Sequence, residues 1–141
     1  MIEIHYIDVE VPGLNSELLV LWLYESIKRE DREPGAINLV FCTDEYLLGV
    51  NKTYLNHDYY TDIVTFDYTE GVVLSGDLYI STERVTENAI VLKEAFDVEF
   101  RRVCIHGILH LCGYKDKKNE DEVVMRSREN FHLDKYVSRG T

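Results

Sequence analysis

Proline and glycine are scarce in this chain, 2 and 8 of 141 residues, so little sequence is available for a flexible linker between domains. Cysteine is scarce too. Cys42, Cys104 and Cys112 are odd in number, sit among apolar residues and form no CxxC pair, which speaks against a disulfide framework or a cysteine-only zinc site and favours small core residues. Apolar runs all fall short of the roughly 18 residues that a transmembrane helix needs, and MIEIHYIDVE at the N-terminus carries acids where a secretion signal carries bases. A cytoplasmic protein with no membrane partner is expected.

Cations are the fourth shortage. Lys and Arg number 15 against 26 Asp and Glu, a formal net charge of −11. That argues against a protein that coats nucleic acid by bulk electrostatics, because phosphate contact requires cations at the surface. The acidity is uneven: residues 1–113 carry a balance of −12 and residues 114–141 a balance of +1. Lys115, Lys117 and Lys118 fall in the second stretch, where a local anion-facing patch and a plain solvated surface are both compatible with the total.

What is present is enough for one domain over residues 1–141, with 45% of residues hydrophobic. IEIHYIDV alternates like a strand and LNSELLVLWLYESIKRE turns to helical spacing. After REPGA, INLVFCT reads as a buried strand and DEYLLGVNKTYL as a helix. TDIVTFDY and VVLSGDLYIS read as two strands joined through the hairpin signal TEG. From about Ser81 onward the chain reads as helices, with breaks at Asp97 and near Gly113 and with Asp97 as an N-cap. The fold class expected is α/β (α+β): one small mixed sheet of about four strands covered by about five helices.

The segment from Asp97 to Cys112 is apolar around most of its circumference, the mark of a buried helix. Glu99, Arg102, His106 and His110 interrupt it at spacings of three or four residues, so they form one polar stripe. An unpartnered buried polar group costs roughly 1–3 kcal/mol, so the stripe needs partners, in one another, the backbone or a ligand. Two imidazoles at i and i+4 lie about 6 Å apart along the axis and roughly 40° apart around it, within reach of one metal ion. In HGILHLCGYKD, Gly113 can end the helix with a left-handed turn, and Asp116 then stands in place for a third ligand. The position where HExxH proteases carry their general base is Gly107, which disfavours standard zinc proteolysis. An open three-ligand site suited to hydrolysis or to polarising a phosphoryl oxygen survives.

HGILHLCGY resembles the signature of the YbeY endoribonuclease family of bacterial rRNA maturation factors. TDIVTF at 61–66, GDLYIS at 76–81, Asn51, Glu99, Met125 and Glu129 are similar to further family positions in the same order. The resemblance implies a small mixed α/β fold with His106 and His110 as zinc ligands at the floor of a cleft. It implies a zinc-dependent, single-strand-specific endoribonuclease acting in 16S rRNA 3′-end maturation and ribosome quality control. Its partners would be rRNA in the small ribosomal subunit, with ribosomal proteins or a ribosome-associated GTPase. Two departures stand out: GYKD places Asp116 where the family carries a third histidine, and VNKTYL places Leu55 where it carries an arginine.

The candidate set is therefore His106, His110 and Asp116 for one Zn2+, Arg102 and Glu99 for catalysis, and Lys52, His57, Asp62 and Lys115 for substrate. Tyr59, Tyr60 and Phe66 are open to base stacking or to core packing. His5 and His132 are expected to be structural or on the surface. A ribosome assembly factor with a structural metal, and a metal-dependent hydrolase of another substrate, remain as alternatives.

Overall fold

The structure, a computed structural model, describes residues 1–140, with side chains described through Tyr136. The elements are β1 (Ile2–Tyr6), α1 (Ser16–Arg29), β2 (Glu33–Cys42), α2 (Asp44–Leu55), β3 (Ile63–Asp67), β4 (Val73–Ser81), α3 (Thr82–Leu92), α4 (Phe96–Leu111) and α5 (Asn119–Gly140). Among the described residues the strands form one sheet in the order β1-β2-β4-β3. β1, β2 and β4 run parallel, and β3 returns antiparallel beside β4.

Side-chain alternation divides the sheet's contacts. Leu78, Ile80 and Ile63 join the larger core, built with Trp22, Leu23, Phe41, Phe100, Ile105 and Ile108 from β2, α1 and α4. Tyr79, Val64 and Phe66, at positions of the opposite parity along the same strands, join Cys42, Leu47 and Val50 in a smaller cluster with α2. α4 thus lies between the sheet and α5, buried on most sides as its composition predicts.

The helix starts follow cap chemistry. Asn15, Thr43 and Ser81 accept from the amides of Leu18, Tyr46 and Arg84 at 3.0, 3.1 and 3.1 Å. The expected cap at Asp97 is corrected. The break falls earlier, at Lys93 with its left-handed φ of 55°, and the N-cap of α4 is Ala95. Asp97 lies in the first turn, favourable to the helix dipole, and meets Arg101 at 3.5 Å. β2 also begins earlier than expected, at Glu33, because the pairing with β4 accommodates Pro34 and Gly35 through a register shift before Ile37. All three cysteines are buried, and burial pushes the thiols of Cys42 and Cys112 up to about 12, which makes them inert core residues.

Two glycines set how closely α4 and β3 approach the sheet. A Cβ on Gly107 would meet Ile63 Cδ1 at 2.7 Å, so the position that carries the base in HExxH proteases faces the sheet and has no room for a carboxylate. A Cβ on Gly76 would meet the backbone carbonyl of Phe66 closer still and would push β3 away. Gly76→Ala is expected to lower unfolding free energy by about 2 kcal/mol or more, read from chemical denaturation; wild-type stability would show that β3 shifts without cost.

Candidate metal centre and flanking clefts

α4 ends in a Schellman motif. The Gly113 amide donates to His110 O at 2.9 Å and the Tyr114 amide to Leu109 O at 3.1 Å, with Gly113 at φ +102°. The chain reverses there, which brings Asp116 back over the last two turns of α4.

The outcome is a compact triangle. His106 Nε2 and His110 Nε2 are 3.0 Å apart, and Asp116 Oδ2 lies 3.0 and 3.1 Å from them. Among the described residues these three form the group able to hold a metal ion. The far nitrogens decide the chemistry inside the triangle. His106 Nδ1 donates to the buried carboxylate of Glu129 at 2.7 Å, and His110 Nδ1 donates to Tyr114 O at 3.0 Å. Both partners only accept, so each neutral ring carries its proton on Nδ1 and turns an Nε2 lone pair inward. Two lone pairs and a carboxylate oxygen at such distances repel unless a proton or a metal ion lies among them. Tetrahedral ligands about 2.0 Å from zinc stand roughly 3.3 Å apart, and a carboxylate or carbonyl behind each histidine is the usual outer shell. The donor set fits zinc with one position left for water or substrate.

The triangle separates two clefts. The first, about 430 Å³, is lined by Asp62, Glu99, Arg102, His106, Asp116, Glu122, Arg126 and Glu129 among others. The second, about 530 Å³, is lined by Asn51, Leu55, His57, Tyr59, Asp62, both histidines, Asp116 and Lys117. Asp62, reached by Asn88 Nδ2 at 3.0 Å, stands where they meet. Burial raises its pKa against the opposing charge of His106. Burial likewise raises Glu99, against Arg102 and with Asp62 adding to the shift. Glu99 is 4% exposed, and its Oε1 is buried without a hydrogen-bond partner among the described residues. For His106, burial opposes the charged form, but the Glu129 hydrogen bond and the charges of Glu129, Asp116 and Asp62 outweigh it, and its pKa is raised.

With this geometry in place, comparison with known proteins is decisive. A family model described as Endoribonuclease YbeY matches residues 7–137. The chain belongs to the YbeY endoribonuclease family. It is 49% identical over 134 residues to a protein of Flavobacterium psychrophilum named Endoribonuclease YbeY, covering 94% of each chain. A Parabacteroides distasonis protein of the same name is 43% identical over 89% of each. The solution structure of a Thermotoga maritima protein superposes with a TM-score of 0.69 at 28% identity, covering 99% of this chain and 91% of that one. The mixed α/β architecture expected from the sequence is the one found.

Against the family background, the candidate residues divide. His106, His110 and Asp116 come together, with Glu99, Arg102 and Asp62 in the first cleft and His57 in the second. Lys52 and Lys115 lie outside both. Lys52 projects from α2 beyond the buried Leu47, Val50 and Asn51, and meets Asp58 at 3.3 Å. Lys115 is exposed on the turn that directs its neighbour Asp116 inward, and the lysine at the second cleft is instead Lys117. Asn51 shapes that cleft: its Nδ2 donates to Tyr59 O at 3.0 Å and its carbonyl accepts from the His57 amide at 3.1 Å. Arg102 Nη1 donates to Glu129 at 3.2 Å and Asn130 at 2.9 Å, so it also braces the partner of His106. Glu129 was legible as a family position, but its contact with His106 was not.

Glu99 supplies a test. Its folded pKa lies above the unfolded value, so the stability attached to it is full below the unfolded pKa and is lost as pH rises through the folded one. Glu99→Gln is therefore expected to melt above wild type at about pH 8, with the difference closing toward about pH 4, near the ordinary carboxylate range. A constant difference, or a lower melting temperature throughout, would contradict this environment.

Proposed function

We propose that this chain is a cytoplasmic, zinc-dependent endoribonuclease of single-stranded RNA, acting in 16S rRNA 3′-end maturation and ribosome quality control. One observation carries the reading: His106, His110 and Asp116 turn three electron-pair donors onto one point, with the outer nitrogens of both histidines already engaged. Family membership and the relatives' name support RNA as the substrate class. Among the described residues no helix is long and apolar enough to cross a membrane, which accords with the rest of the proposal.

The first cleft holds more carboxylates than guanidinium groups and would repel a phosphodiester on its own. A zinc ion held by His106, His110 and Asp116 would supply positive charge there and Lewis-acid activation of a water or hydroxyl at neutral pH. The chain's own groups do the rest. Glu129 and Tyr114 O fix the proton of each imidazole on Nδ1 and so keep Nε2 free. Glu99, whose Oε1 accepts no hydrogen bond among the described residues and faces Arg102 Nε at 3.8 Å, is suited by its raised pKa to accept a proton there from the attacking hydroxyl. Arg126, at the rim, and Arg102 offset charge developing on the phosphoryl oxygens. In the second cleft Lys117 can meet the neighbouring phosphate, and His57 and Tyr59, stacked at 5.1 Å, offer a face to a base. Asp62 contacts the strand where the clefts join. Delivery to the small subunit by ribosomal proteins or a GTPase belongs to the same proposal. The metal group contains three ligands among the described residues, which favours an open catalytic site over a closed structural one.

Wild-type protein is expected to carry near one zinc per chain by elemental analysis. His110→Ala should lose it together with ribonuclease activity, by more than about 100-fold, the upper range for disturbing even a metal's outer-shell partner. Its circular dichroism should remain that of the wild type. Undiminished cleavage by the folded variant would overturn the assignment.

A further inference from the structure

Apart from the residues that line either cleft stands a carboxylate, its side chain 7% exposed, that the proposed chemistry does not use. Glu30 caps the C-terminus of α1. Its Oε1 accepts from Tyr114 Oη at 2.7 Å. Its Oε2 accepts from Arg128 Nη2 at 2.6 Å, Arg128 Nε at 3.1 Å and His132 Nε2 at 2.7 Å. Burial opposes its ionisation, but the hydrogen bonds from Tyr114, Arg128 and His132 prevail and its pKa falls below the ordinary value. A buried ion pair of this kind gives little net stability over well-packed apolar residues, so its value lies more readily in what it aligns.

What it aligns are the two pieces of chain that complete the metal site. Tyr114 belongs to the turn that presents Asp116, and its carbonyl holds His110 Nδ1. Arg128 immediately precedes Glu129, the partner of His106 Nδ1 on α5. The α1–β2 turn grips the same region a second time, through Arg32 Nη2 and Cys112 O at 2.7 Å. We propose that Glu30 is a positioning residue for the metal group: it ties the Asp116 turn to the Glu129 helix, so that both histidines and the carboxylate meet in one register. Glu30 itself touches no ligand.

The inference rests on the metal reading above, and its test separates the two. Zinc affinity is measured by competition with a chromophoric chelator for wild type, Glu30→Gln and Tyr114→Phe, with Co2+ absorption as the record of ligand geometry. Tyr114→Phe keeps the ring in the core and removes one hydroxyl, so it remains informative if Glu30→Gln fails to fold. About a tenfold loss of zinc affinity is expected in Tyr114→Phe and a larger one in Glu30→Gln, each with an altered Co2+ spectrum. In an Asp116→Ala background the loss from Tyr114→Phe should shrink, because the turn no longer carries a ligand. Wild-type zinc affinity and Co2+ spectra in the folded variants, with only the melting temperature lowered, would overturn the positioning role and leave the metal reading standing. Absence of zinc binding in the wild type would overturn both.

Discussion

Two imidazole nitrogens and a carboxylate oxygen are held about 3 Å apart with their lone pairs facing one another, and the surrounding structure resists the separation that electrostatics alone would impose. The restraint is applied from behind. Glu129 and Tyr114 O fix the outer nitrogens, Arg102 braces Glu129, and the turn after Gly113 returns Asp116 to the helix it has just left. Buried charge is costly wherever it occurs, and here Glu99, Glu129 and Glu30 are all removed from water within one region. Such a concentration is consistent with a site held ready for a cation.

The rest of the fold supplies the rigid backing. α4 carries the histidines on a single stripe while its other sides pack into the larger core, so neither imidazole can be withdrawn without disturbing Val103, Ile105 or Ile108. Gly107 and Gly76 permit the close contacts of α4 and β3 with the sheet, which put Asp62, at the entry to β3, beside His106. The same arrangement explains why the family's chemistry is not that of an HExxH protease: the residue after the first histidine looks into the sheet.

The charge distribution, puzzling for a protein of RNA, becomes coherent at the site. On the proposed function, the acidic first cleft would admit a phosphodiester once a cation lies among His106, His110 and Asp116. Lys117, rather than Lys115, borders the second cleft beside Leu55.

Local periodicity made the strand and helix order, the buried helix with its polar stripe, the hairpin and the histidine pair readable from residues alone, since each depends on contacts a few positions apart. The glycine turn and Asp116 were readable for the same reason. The start of α4 was misplaced by two residues because Asp97 is a good cap in isolation, whereas the left-handed Lys93 ends α3 early enough for Ala95 to take that position. Lys52 and Lys115 could not be placed, since side-chain direction on an exposed helix or turn is settled by which neighbours are buried. The sequence by itself determined the elements and the candidate ligand types. Only the tertiary structure decided which outer groups hold them, because Glu30, Tyr114, Glu129 and His106 lie far apart along the chain, and long-range contact leaves no periodic trace.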